Sequence, residues 1–86
     1  MNMGLEVAEM GDLKYFLHKD PSTNQFEVAV IDKKGNKSTF NFESCNVIDG
    51  NLSLDHRWLA QHMIKDFHEE FLEYWNQVKK NEDYTQ

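Results

Sequence analysis

The fold is decided by residues 53–79, which read SLDHRWLAQHMIKDFHEEFLEYWNQVK. Apolar side chains recur there every three or four residues, the spacing that places them on one side of an α-helix. The stripe consists of Leu59, Met63, Phe67, Phe71, Tyr74 and Val78, widened by Ala60, Ile64 and Trp75. Ser53 is a good N-cap, and Asp55 in the first turn suits the positive end of the helix dipole. The pattern therefore predicts one long helix from Ser53 to about Lys79.

The residues before this helix predict strands that are separated by tight turns. Residues 26–31 read FEVAVI, and we expect them to form the central strand because both faces are apolar. Residues 13–19 and 38–42 are predicted neighbours, and residues 47–48 add a short extended piece. Residues 11–12 and 33–36 are predicted hairpin turns.

Residues 4–10 fit either a further strand or a flexible segment that precedes the first strand. As a strand, they would place Leu5 and Val7 on one side and Glu6, Ala8 and Met10 on the other. The predicted fold is therefore α+β, an antiparallel meander of three to four strands packed by one long C-terminal helix.

Length and composition limit the class of protein. The 86 residues suit one domain over residues 1–80, followed by a polar tail at 81–86 that we expect to be disordered. Hydrophobic residues make up 40% of the chain, which argues against a disordered protein. No apolar run approaches the roughly 20 residues of a membrane span, and the N-terminus lacks the pattern of a secretion signal. The single cysteine, Cys45, indicates a reducing, cytoplasmic setting.

Charge and side-chain spacing argue against catalysis and against cofactors. The net charge of −6 disfavours contact with nucleic-acid phosphates and anionic membranes. His56, His62 and His68 are six residues apart, which rotates successive side chains by about 120° around a helix. His62 and Asp66 share a face with Glu69 nearby, and we interpret them as a solvated pair, with a small ligand cluster as the alternative. We therefore expect no enzyme, no metal and no cofactor.

The predicted helix has an apolar edge outside its main stripe. Leu54, Trp58 and Leu72 lie on this edge, which would mark a surface for another protein or for a second copy of the chain. The alternative is that Leu54 and Trp58 pack under the loop around Val47 and Ile48. The edge is the first candidate binding surface.

An acidic row is the second candidate surface on the same helix. Asp66, Glu69 and Glu73 share one side, and such a row would imitate nucleic-acid phosphates in the basic groove of a partner. The ordinary interpretation is a solubilising face in which Lys65 offsets Glu69.

Two segments together resemble a known family. Residues 35–43, GNKSTFNFE, and residues 67–76, FHEEFLEYWN, resemble the small bacterial domains of unknown function numbered forty-one sixty, over about residues 26–79. The resemblance implies neighbouring toxin–antitoxin or mobile-element genes and no established enzymatic activity. Members of that family carry closely spaced histidines near the early strand, where this chain has only His18. No metal or nuclease role is therefore transferred.

The sequence thus predicts a small acidic cytosolic binding or regulatory protein that acts by protein–protein contact. The alternative is a phage-type acidic inhibitor that blocks a nucleic-acid-binding enzyme. The predicted partner-binding residues are Trp58, Leu54, Leu72, Asp66, Glu69 and Glu73.

Overall fold

A computed structural model describes residues 4–84 of the protein, with side chains for residues 4–81. Over this range the chain forms five strands and two helices. In chain order they are β1 (Leu5–Met10), β2 (Leu13–Lys19), β3 (Phe26–Ile31), β4 (Lys37–Asn41), β5 (Val47–Gly50), α1 (Leu54–Asp66) and α2 (His68–Tyr84). The predicted α+β class is confirmed. The strands number five rather than three or four, and the helical segment is in two pieces.

The strands form one antiparallel sheet in the order β1-β2-β3-β4-β5, so the predicted meander is confirmed and β3 is its central strand. Alternate side chains of β2, β3 and β4 point to the inner face, and the helices cover that face. The buried core consists of Leu13, Tyr15, Leu17, Val28, Val30, Phe40, Phe42, Leu52, Ala60, Ile64 and Phe71. Burying these large side chains supplies most of the free energy that stabilises so small a domain.

Strand β1 departs from the predicted alternation. Its pairing with β2 shifts between Glu6 and Ala8, where one extra residue forms a β-bulge. Leu5, Ala8 and Met10 consequently all lie opposite buried residues of β2. The expectation that Ala8 and Met10 face away from Leu5 is therefore wrong, because a one-residue shift moves later side chains to the opposite face.

The helical segment is interrupted at Phe67, so the prediction of one helix over residues 53–79 is wrong. Phe67 ends α1 with φ −107° and ψ 21°, and α2 begins at the next residue. The predicted N-cap is confirmed, since the Ser53 hydroxyl accepts the His56 backbone N–H at 3.2 Å. Helix α2 continues to Tyr84. Residues 1–3, and residues 85–86 of the predicted tail, lie outside the described residues.

The buried side of the helices also differs from the predicted stripe. Ala60, Ile64 and Phe71 are buried, whereas Leu59 and Phe67 are exposed. The core side of α1 thus lies along the Ala60–Ile64 edge of the predicted stripe and not along Leu59, which is one residue, or about 100°, away from Ala60. Of the other predicted stripe members, Met63, Trp75 and Val78 are half-buried and Tyr74 is exposed. No helix within residues 4–84 is long and apolar enough to cross a membrane.

Candidate partner-binding surface

Two large apolar side chains stand in solvent on the outward side of α1. Leu54 and Trp58 are one turn apart, with exposed fractions of 72% and 65%, and Ile48 in β5 is 50% exposed. Neither helical side chain is therefore buried beneath the loop around Val47 and Ile48. We call Leu54 and Trp58 the Trp58 surface.

The indole ring of Trp58 has a defined neighbour on its own helix. The His62 ring lies edge-on to it, with centroids 4.3 Å apart and an angle of 66° between the planes. Trp58 and His62 also line a shallow cleft of about 140 Å³, together with Cys45, Gln61 and Lys65. A ring that is already held against a neighbour loses less conformational entropy on binding, which favours Trp58 as an anchor.

The loop that forms the other wall of this cleft is held by hydrogen bonds. The Asn41 side-chain oxygen accepts the backbone N–H groups of Glu43 at 3.0 Å and Ser44 at 2.9 Å. Gln61 of α1 donates its amide to the Cys45 carbonyl at 2.9 Å. The loop beneath Trp58 is therefore fixed to α1, although the sequence between β4 and β5 gave no indication of this contact.

Cys45 lies in the same loop with a φ of 64°, a left-handed conformation that is uncommon for a residue with a side chain. Its thiol is half-buried, and this burial raises its pKa. A raised pKa keeps the sulfur protonated and disfavours a nucleophilic role. Cys45 therefore acts here as a packing residue.

Leu72 is separated from the other two apolar edge residues. It lies on α2, is half-buried and packs against the core. The structure therefore brings Leu54 together with Trp58 and assigns Leu72 to the core boundary.

The three carboxylates of the predicted acidic row are all exposed. Asp66 is the last residue of α1, whereas Glu69 and Glu73 are one turn apart on α2. None of the three forms an ion pair with another described residue, and the expected Lys65–Glu69 pair is not formed over this range. These three negative charges are thus exposed to solvent and are not neutralised by an ion pair with a described residue.

Three of the four histidines face carboxylates from distant parts of the chain. The pairs are His18–Glu27 at 3.0 Å, His56–Asp32 at 3.8 Å and His68–Glu43 at 3.7 Å. The second and third pairs connect the helices to loops of the sheet. Among the described residues, no three His, Cys, Asp or Glu side chains are grouped so as to hold a metal ion.

Comparison with known proteins returned no match to a family model, to a curated protein or to a solved structure.

Proposed function

We propose that this protein is a small binding or regulatory protein that acts by contact with another protein through the Trp58 surface. The observation that carries the proposal is that the Trp58 side chain is 65% exposed and that Leu54, one turn away, is 72% exposed. Fully burying a large apolar side chain contributes about 1.5–3 kcal/mol. Most of that free energy remains unused in the isolated chain, and a partner that covers the indole would gain it.

The surroundings of Trp58 support an interface rather than an accidental exposed ring. Asp55, His62 and Lys65 form a polar border around the two apolar side chains on α1. An apolar centre within a polar border is the usual anatomy of a protein–protein interface. Tryptophan is also the residue type most enriched among side chains that dominate binding energy.

The test compares Trp58→Ala with Leu59→Ala, because Leu59 is an exposed apolar residue on the same helix but outside the Trp58 surface. Partners are captured from a lysate of the native host on the immobilised chain and identified by mass spectrometry. We expect Trp58→Ala to weaken the captured complex by at least 2 kcal/mol, about 30-fold, and Leu59→Ala to leave it nearly unchanged. The melting temperature of both variants should remain close to that of the parent chain.

Two results would reject this proposal. One is undiminished capture by Trp58→Ala, and the other is a fall in its melting temperature of more than about 10 °C, which would show that the side chain supports the fold. Light scattering of the purified chain tests the homo-oligomer alternative, in which the captured partner is a second copy.

The acidic inhibitor is the second candidate, and the uncompensated charges of Asp66, Glu69 and Glu73 favour it. A complex made through these carboxylates should weaken strongly between low and high salt. A complex centred on Trp58 should change little over the same range. Measuring affinity at two salt concentrations therefore separates the two functions.

The proposed setting is the cytoplasm, which the single cysteine supports. The resemblance of residues 35–43 and 67–76 to the family numbered forty-one sixty supports an origin in a toxin–antitoxin or mobile-element locus.

A further inference from the structure

The sheet has an outer face over which neither described helix lies. Both helices pack on the inner face, against the core side chains of β2, β3 and β4. Because successive side chains of a strand point to opposite faces, the alternate residues of these strands point outwards. The outer face is therefore on the opposite side of the sheet from the helices and from the Trp58 surface.

The centre of the outer face is apolar. Phe16 on β2 is paired with Ala29 on β3, and Ile31 follows two positions later on β3. Phe16 and Ile31 are half-buried, and Ala29 is 3% exposed although it is not part of the inner core cluster. A sheet face in contact with solvent ordinarily carries polar side chains, so this apolar centre favours a second layer that covers it.

Opposite charges flank this centre. Strand pairing aligns Glu9 on β1, Lys14 on β2, Ile31 on β3 and Lys37 on β4 in one row across the sheet. Glu9 and Lys37 are the two ends of the row, about 14 Å apart at the usual strand spacing of about 4.8 Å. Both side chains are exposed, and neither forms an ion pair with another described residue. The row thus has an unpaired negative charge at one end and an unpaired positive charge at the other.

The outer face is complementary to itself. A two-fold axis that runs along the strands between β2 and β3 places β1 of one protomer over β4 of its partner, and β2 over β3. Glu9 then lies opposite the partner's Lys37, and Phe16 lies opposite the partner's Ala29, a small residue. Two sheets that stack in this way keep their strands within about 30° of each other and lie about 10 Å apart.

The same axis places no charge opposite one of its own sign. Lys14 lies opposite the partner's Ile31, and His18 lies opposite the partner's Glu27. A two-fold interface requires one surface that complements itself, because the same residues contribute from both protomers. The outer face meets this requirement in both its apolar centre and its charges.

We infer that the outer face binds a second copy of the chain in a two-fold dimer. The apolar centre contributes hydrophobic free energy, and the two Glu9–Lys37 contacts between protomers fix the register. Each protomer keeps its Trp58 surface exposed on the far side of the sheet. The dimer is therefore additional to the partner contact proposed above.

The size of the face predicts moderate affinity. Four strands about 4.8 Å apart, each with about six residues of about 3.3 Å, span roughly 20 by 20 Å. A flat area of about 400 Å² per protomer is smaller than the roughly 800 Å² that each partner buries in a standard stable interface. Each protomer also carries a net charge of −6, which adds repulsion. We therefore expect a Kd of about 50 μM.

The experiment is sedimentation equilibrium of the purified full chain from about 5 μM to about 1 mM, a range that spans the expected Kd. The parent chain should change from the monomer mass to the dimer mass. Glu9→Lys and Lys37→Glu should each raise the Kd at least tenfold, because each places like charges opposite each other at two contacts. The matched control is Glu70→Lys, which changes the net charge as Glu9→Lys does, at an exposed position of α2, and should leave the Kd nearly unchanged.

Mixing the two outer-face variants gives the sharpest test. A Glu9→Lys chain opposite a Lys37→Glu chain has opposite charges at both contacts, so an equimolar mixture should form a heterodimer with nearly the parent Kd. Mixing alters no contact within either chain, so restored association can come only from contact between chains. Circular dichroism and the melting temperature establish that each variant is folded.

The inference is overturned if the parent chain remains monomeric at about 1 mM, well above the expected Kd. It is also overturned if Glu70→Lys weakens association as much as Glu9→Lys, or if the mixed variants remain monomeric. A dimer formed through the Trp58 surface would be insensitive to the charges on β1 and β4, and that result would equally reject the inference. None of these measurements uses a partner from a lysate, so this inference and the proposed function can fail separately.

Discussion

The two tryptophans of this chain lie on consecutive helices and have opposite environments. Trp58 on α1 projects into solvent, with the His62 ring against it. Trp75 on α2 is half-buried and contacts Phe26 at the end of the sheet. Helix α1 packs on the sheet through Ala60 and Ile64, whereas α2 packs on it through aromatic side chains.

This difference shows that residue type alone does not determine whether an aromatic side chain on an amphipathic helix is buried in the core. Trp75 is packed because α2 places it above an aromatic side chain of β3. Trp58 is exposed because its position on α1 points away from the sheet, which Ala60 and Ile64 face. One tryptophan therefore contributes to folding, and the other remains available for binding.

The largest expected effect is on Trp75. Trp75→Ala should lower the free energy of unfolding by about 3 kcal/mol, because it removes the ring packed on Phe26 and leaves a cavity. For a domain of this size, such a loss lowers the melting temperature by more than about 12 °C. Thermal and urea unfolding measure the change, with Trp58→Ala as the control at under about 1 kcal/mol. Equal losses in the two variants would remove the distinction between the two rings.

A pair of leucines repeats the comparison with smaller side chains. Leu72→Ala on α2 should cost about 2 kcal/mol, since Leu72 packs against the core. Leu54→Ala on α1 should remain within about 0.5 kcal/mol of the parent chain, because this side chain is mostly in solvent. Urea unfolding of both variants tests this, and a larger loss for Leu54→Ala would contradict the assignment of its surface.

The polar attachment of α1 should contribute less than the apolar packing of α2. Gln61→Ala removes the hydrogen bond to the Cys45 carbonyl and should cost about 1 kcal/mol. We also expect faster amide exchange over residues 43–46, because this loop loses its connection to α1. Unchanged exchange there would show that the Asn41 hydrogen bonds alone hold the loop. Gln77→Ala, an exposed glutamine on α2, is the matched control.

The smallest expected effect is on the free energy of unfolding at acidic pH. The side chain of Asn36, together with its backbone N–H and that of Lys34, holds the pKa of Asp32 below its usual range. A carboxylate with a lowered folded-state pKa stabilises the fold above its unfolded pKa of about 3.9. That contribution is lost as the pH falls through the folded value. The free energy of unfolding should therefore fall below about pH 4.

Urea unfolding between about pH 2.5 and pH 6, on either side of the unfolded pKa, measures this slope. Asp32→Asn should reduce it, whereas Asp49→Asn, which changes an exposed carboxylate of β5, should leave it unchanged. An equal slope in Asp32→Asn and in the parent chain would contradict this role of Asp32.

Several features of the fold follow from interactions between residues that are close in the chain. The alternation in β2 and β3, the hairpin at residues 11–12 and the Ser53 cap depend on neighbours within a few positions, and sequence patterns predicted them. The α+β class follows from the order of these local elements. Trp58 was also placed outside the main stripe from helical spacing alone.

Tertiary structure decided the features that depend on contacts between segments far apart in the sequence. The bulge in β1 depends on its register with β2, and the interruption at Phe67 depends on how two helices cover one face of the sheet. Helical periodicity identified an apolar side for α1, but contact with the sheet selected Ala60 and Ile64 over Leu59. The ring contact between Phe26 and Trp75 joins residues about 50 positions apart. Such contacts form only when the packed core fixes both segments, so no local pattern in the sequence records them.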